Sequence, residues 1–170
     1  MVACLISLNA FACGPTPQKV VKEVTIKADA KTIWEIIDRF DAISQWAPDV
    51  QSSTLVKKMD DEGNPATFRT MTFKNGLTLE EKRRVIPDGQ MKLDYQMSNG
   101  DFPVSNYRGV MQVKDSDIKG ETIVSWTGRF NNKANTLVAP PGQDNETAIN
   151  AITSFYGNSL AGLKAFVENK

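Results

Sequence analysis

PPGQDNETAINAITSFYGNSLAGLKAFVENK, residues 140–170, decides the arrangement of everything before it. Pro140, Pro141 and Gly142 form a turn, since proline fixes φ and glycine frees it. Apolar residues then recur at Ile149, Ile152, Tyr156, Leu160, Leu163 and Val167, with Phe155 and Phe166 beside the stripe. These spacings predict one long amphipathic helix. Asp144 is its expected N-cap, and Glu146 places a negative charge in the first turn, where the helix dipole favours it. A helix of this kind needs an apolar surface to cover.

That surface comes from strands. VVKEVTIK (20–27) alternates and is β-branched, so it reads as a strand. Asp29 caps a helix carrying Ile33, Trp34, Ile36, Ile37 and Phe40, with Trp34 read as core, and a second short helix spans Asp41 to Trp46, before Pro48. From Gln51 to Phe130 the chain reads as six strands: 51–58, 67–73, 77–86, 91–97, 107–114 and 121–130. Asn75-Gly76 is the sharpest hairpin signal among them. Pro87-Asp88-Gly89, Asn99-Gly100-Asp101 and Lys119-Gly120 mark further breaks, and 131–142 is a loop rich in Asn and Pro. One strand, two helices, six strands and a long helix make an α+β layout, with helices on one face of a curved antiparallel sheet.

Composition removes several function classes. Lys+Arg and Asp+Glu are 20 each, so the net charge is zero, which argues against a broad nucleic-acid or anionic-membrane surface. Lys82, Arg83 and Arg84 form a basic cluster, but Glu80 and Glu81 precede it. Histidine is absent, which excludes His-based acid/base chemistry, Ser-His and Cys-His dyads and almost every zinc site. Cys4 and Cys13 are the only cysteines, so no metal cluster, no cofactor and no core disulfide is expected.

Val2 to Phe11 is mostly apolar and Ala10-Phe11-Ala12 has the small-residue pattern of signal-peptidase cleavage. The expected organisation is therefore a signal peptide over 1–12, an extended lead-in over 13–19 and a single domain over 20–170. The run is too short to span a bilayer, and no basic residue precedes Lys19. Export to the periplasm is the reading, with acylation of Cys13 as a lipid anchor, or an apolar N-terminal strand, as the alternatives.

VTIKADAKTIWEIIDRFDAISQWAPDV (24–50) resembles the strand-helix-helix opening of the START and Bet v 1-like superfamily (SRPBCC). Its Trp46-Ala47-Pro48 stands where that family closes the second helix, with Ala47 in place of a more usual histidine. FPVSNYRGVMQV (102–113), IVSWTGRF (123–130) and residues 139–166 resemble the bacterial polyketide cyclase/dehydrase branch, and within it the periplasmic MxaD-type subgroup. The resemblance covers residues 14 to 168. It implies the helix-grip fold, a curved antiparallel sheet wrapped around the C-terminal helix, with two short helices after the first strand. It also implies an accessory role beside a periplasmic dehydrogenase or cytochrome, as in methanol oxidation.

Strand parity nominates a lining for a cavity between sheet and helix. Leu77, Leu79 and Val85 share a face with Glu81 and Arg83, which would pair with each other if that face is the concave one. Tyr95 lies with Leu93 and Met97, and Tyr107 with Met111, where Gly109 leaves space. Arg69 lies with Met71 and Phe73, while the parity of Trp126 and Phe130 leaves their face open. The expected ligand-binding set is Trp46, Arg69, Glu81, Arg83, Tyr95, Tyr107, Phe155 and Tyr156, an apolar wall with few polar groups. Three functions follow from it. The first is binding of a small apolar or amphiphilic molecule. The second is a cyclase or dehydratase with Glu81 as base and Tyr95 or Tyr107 as donor. The third is an interaction module whose cavity is filled.

Overall fold

The computed structural model describes residues 14–87 and 89–169. The expected leader, Cys4, Cys13 and Asp88 fall outside them. The chain runs β1 (Gln18–Ile26), α1 (Ala30–Ile37), a 3-10 turn (Ala42–Gln45), β2 (Val50–Met59), β3 (Pro65–Phe73), β4 (Thr78–Arg83), β5 (Lys92–Gly100), β6 (Val104–Asp115), β7 (Thr122–Asn132) and α2 (Asn145–Glu168). The strands form one antiparallel sheet in the order β1-β7-β6-β5-β4-β3-β2. This is the expected helix-grip layout.

The caps are where the sequence puts them. The Asp29 carboxylate accepts from Thr32 N at 2.9 Å and Thr32 Oγ1 at 2.6 Å, and that of Asp144 accepts from Thr147 N at 2.8 Å. Helix α2 turns Ala148, Ile152, Phe155, Tyr156, Ser159, Leu160 and Leu163 into the core, leaving Ile149 and Val167 at its margins. It meets the Trp46-Ala47-Pro48 segment at Gly162, where an added Cβ would lie 2.0 Å from Trp46 O. Only a glycine allows so close an approach of helix to loop.

Bulges set which side chains enter the interior. On β6 the register slips between Ser105 and Arg108, and Asn106 takes a positive φ of 47°. The extra residue reverses parity, so both Val104 and Tyr107 are buried although they stand three positions apart. On β7 the even-numbered residues face inward, so Trp126 and Phe130 are buried and Arg129 is exposed. This settles the parity the sequence left open.

Several expected boundaries shift. β1 begins at Gln18, inside the expected lead-in. β4 stops at Arg83 rather than continuing to Ile86, and Val85 is 100 % exposed rather than facing the core. Pro87 lacks the N–H a continuing ladder needs. β5 continues through Asn99 and Gly100, which were expected in a loop. Gly100 has φ 124°, and a Cβ there would sit 2.5 Å from Thr78 O. No described helix is long and apolar enough to cross a membrane.

Candidate functional site

The expected cavity beneath α2 is occupied by side chains. Tyr95 from β5, Tyr107 from β6, Trp126 from β7 and Tyr156 from α2 meet there, all at most 1 % exposed. Trp126 Nε1 donates to Tyr95 Oη at 2.7 Å, Tyr95 and Tyr107 share a hydroxyl–hydroxyl bond of 3.1 Å, and Tyr107 and Tyr156 one of 2.8 Å. Trp126 stacks on Tyr156 with ring centroids 4.2 Å apart. Two glycines make room: a Cβ on Gly109 would lie 2.3 Å from the Tyr95 ring, and one on Gly128 would lie 2.7 Å from Tyr156 Oη. Burial pushes all three phenols above their ordinary range, and neighbouring negative charge adds to the effect. They therefore remain protonated hydrogen-bonding groups.

Phe155 packs edge-on against Phe73 and Trp126, at 5.2 and 5.3 Å. Trp46 is 5 % exposed and tilts against Trp126 at 6.2 Å. Its Nε1 has no hydrogen-bond partner among the described residues. Both residues plug the end of the interior nearest the 3-10 turn.

The charged pair differs from expectation. Glu81 faces inward as its parity predicts, but its partner is Arg69, directly opposite on β3, and not Arg83. Arg69 Nε and Nη2 donate to one carboxylate oxygen, Oε2, at 2.9 and 2.6 Å, and Nη1 donates to Phe40 O at 2.8 Å. Cross-strand geometry explains the choice, since opposite residues are closer than residues two apart on one strand. The guanidinium also lies over the Phe40 ring, 4.1 Å from its centroid. Glu81 Oε1 has no partner among the described residues. Burial raises the Glu81 carboxyl above its ordinary range, and the Arg69 charge opposes that shift.

Arg83 shares the inner face but reaches away from Glu81. Its Nη1 donates to Asp38 O at 2.9 Å and its Nη2 to the Asp38 carboxylate, at the end of α1. There it lines a hollow of about 1400 Å³ at the far end of the sheet, bounded by the end of α1, β2, β3 and the β4–β5 connection. Strand parity divides the walls. Leu55 and Lys57 lie opposite Arg69 and Thr67, on the inner face, and share a limb with Trp34, Asp38, Phe40, Met59 and Arg83. Lys58, Ala66, Lys82 and Gln96 alternate with these and line an outer limb. Phe40 separates the inner limb from the Arg69–Glu81 pair.

Eight residues were expected around one ligand, and the fold distributes them over three places. Tyr95, Tyr107 and Tyr156 join Trp126 in the interior network, with Trp46 and Phe155 packed at its end. Arg69 and Glu81 form the buried pair beside it. Arg83 alone of the eight lines the open hollow. Sequence reasoning missed Asp38, Phe40, Leu55 and Lys57 and assigned Trp34 to the core, whereas it is half-buried with one side on the hollow. A signal existed on β2, where the period-2 set Leu55, Lys57 and Met59 aligns with inward Arg69. Among the described residues no cluster of His, Cys, Asp and Glu can hold a metal.

The family described as polyketide cyclase/dehydrase and lipid transport matches residues 17–168. Among solved structures, the chain is similar to the XoxI protein of Bacillus cereus, at 26% identity and TM-score 0.69, over 89% of this chain and 96% of that one. It is similar to a protein of Bacillus thuringiensis at 26% identity and TM-score 0.68, over 88% and 99% of the two chains. A START superfamily protein from Mycobacterium smegmatis shares the fold at 16% identity and TM-score 0.67, over 89% and 97%. With its single antiparallel sheet, its long C-terminal helix and a match over nearly its whole length, the chain belongs to the polyketide cyclase/dehydrase and lipid transport family.

Proposed function

We propose that the protein binds a small apolar or amphiphilic molecule in the inner limb between α1 and the β2–β4 end of the sheet. The hollow itself carries this reading: about 1400 Å³ over both limbs, against the roughly 300 Å³ at which ligand pockets begin. Trp34, Phe40, Leu55 and Met59 give the inner wall its apolar part, beside the charged Asp38, Lys57 and Arg83. The family description, which includes lipid transport, supports the same class of ligand. Native mass spectrometry of the protein purified gently from its own host tests it. The expected result is a small-molecule adduct in the wild type that is lost in Leu55→Asp, a change at a 41 % exposed position. An adduct undiminished in that variant would remove the hollow from the account.

In this reading the protein is exported and assists a periplasmic dehydrogenase. Support comes from Ala10-Phe11-Ala12 and from the resemblance in residues 102–113, 123–130 and 139–166. A mature N-terminus near Cys13 and co-purification with a dehydrogenase or cytochrome are the expected results; an intact Met1 would end the export claim.

One observation favours a second, enzymatic reading. Glu81 Oε1 is buried without a donor, and the three tyrosine hydroxyls are joined by only two hydrogen bonds. One hydroxyl proton therefore has no acceptor within the chain of hydroxyls. Glu81 as base with Tyr95 or Tyr107 as donor requires Glu81→Gln to abolish turnover of any substrate found; retained turnover in that variant rejects the assignment.

A further inference from the structure

We infer that the inner limb takes an anionic amphiphile, its carboxylate or phosphate head held by Arg39, Lys57 and Arg83 and its tail laid on Trp34, Phe40 and Leu55. The inference rests on the ligand reading above and adds the chemistry of the head. It follows from a mismatch of donors and acceptors. A guanidinium has five N–H donors and an ammonium three. Asp38 takes two from Arg83, one through its carbonyl and one through its carboxylate. Three donors of Arg83, five of Arg39 and three of Lys57 then have no acceptor among the described residues. The carboxylates of Asp38 and Asp60 are already engaged, and Asp41 and Glu62 are the carboxylates bordering the hollow without an ion-pair partner among the described residues.

Charge leads to the same head. The chain has zero net charge, yet here two guanidinium groups flank the Phe40 ring, those of Arg69 at 4.1 Å and Arg83 at 6.0 Å from its centroid. Arg69 is neutralised by Glu81 and Arg83 by Asp38. Seven Lys and Arg side chains border the hollow against four carboxylates, so the charge around it is positive. An alcohol head offers one acceptor, and a cationic head offers none and meets like charge. A carboxylate or phosphate offers several acceptors and a negative charge, and the partly enclosed wall strengthens that attraction over its value in water.

Tryptophan emission reads the site. Trp46 and Trp126 are 5 % and 0 % exposed, so Trp34 is the tryptophan a ligand in this limb touches. Decanoate, decyl phosphate, decanol and decyltrimethylammonium, each below its micelle concentration, are titrated into the full chain. Both anions are expected to bind at least about tenfold more tightly than decanol, and the cation more weakly still. Decanoate against decyl phosphate distinguishes the two head chemistries. Lys57→Gln and Arg39→Gln, both on the surface, are expected to remove most of the anions' advantage and leave decanol unchanged. The response is expected to vanish in Trp34→Phe. Equal binding of decanol and decanoate would overturn the charge inference while keeping the hollow as a ligand site. Binding of no probe at all would overturn both. An anion advantage that survives the double variant Lys57→Gln, Arg39→Gln would also overturn the inference.

Discussion

Replacing Arg69 by Met isolates the energetics of the buried pair. The change removes two hydrogen bonds to Glu81 Oε2, at 2.9 and 2.6 Å, and one to Phe40 O at 2.8 Å. It also removes the cation from the Phe40 face, 4.1 Å away. Glu81 Oε1 already has no partner, so the substitution leaves a fully buried carboxylate with no donor among the described residues. Removing one member of a buried pair typically costs about 3–5 kcal/mol. For a chain of this length about 4 kcal/mol corresponds to a fall in Tm of about 8–16 °C. The loss should depend on pH with a definite sign. Glu81 in the unfolded chain titrates near 4.5, and in the folded chain above it. Between those values the folded state holds more protons than the unfolded one, so stability falls as pH rises. Without Arg69 the charge that opposes this rise is gone, so the variant loses stability more steeply than the wild type as pH rises, and its deficit is greatest at neutral pH and shrinks as pH approaches 4.5. The double variant Arg69→Met, Glu81→Leu removes the charge as well and should recover most of the loss. Thermal unfolding followed by circular dichroism at several pH values measures all three. A Tm loss of under about 2 °C, or a double variant as unstable as the single one, would refute the claim that an uncompensated carboxylate is the cause.

Two glycines of α2 should respond in opposite directions to alanine. Gly157 has nothing within 4 Å of an added Cβ, so Gly157→Ala should stabilise by about 0.5–1 kcal/mol through helix propensity. Gly162→Ala places a Cβ 2.0 Å from Trp46 O and should destabilise by about 1–3 kcal/mol; urea midpoints compare them. Gly109→Ala drives a Cβ into the Tyr95 ring at 2.3 Å, with a similar cost in the urea midpoint. Acid should act through exposed carboxylates. Asp29 is held below its ordinary 3.8 by the Thr32 hydroxyl and N–H, Asp101 by the Thr78 N–H and Asp144 by the Thr147 N–H. Their folded values are depressed, so their contribution is present above 3.8 and is lost as pH falls through the folded values. The urea midpoint should drop in that range, opposite in sign to the effect of Glu81.

The fold was legible because its signals are local. The 149–167 stripe, the Asp29 and Asp144 caps and Asn75-Gly76 each depend on a few neighbouring residues. Parity correctly turned Glu81, Tyr95, Tyr107 and Arg69 inward. It failed to identify the partner of Glu81, because β3–β4 register, not strand parity, brings Arg69 opposite. It failed at Val85 because Pro87 ends the ladder that the alternation assumed. The filling of the interior was not legible at all. Whether inward tyrosines line a space or fill it depends on Gly109 and Gly128 admitting rings from neighbouring elements. The hollow was missed because its walls come from segments far apart in sequence, the end of α1, the exposed strand β2 and the end of β4.

The central claim is that ligand binds at the α1/β2–β4 end of the sheet and not beneath the C-terminal helix. Methyl NMR of Ile-, Leu- and Met-labelled protein titrated with decanoate and decanol tests this most directly. The account predicts shifts at Leu55, Met59 and Ile86, which border the hollow, with Ile152, Leu160 and Leu163 on the buried face of α2 unmoved. Shifts confined to those three helix residues would contradict it.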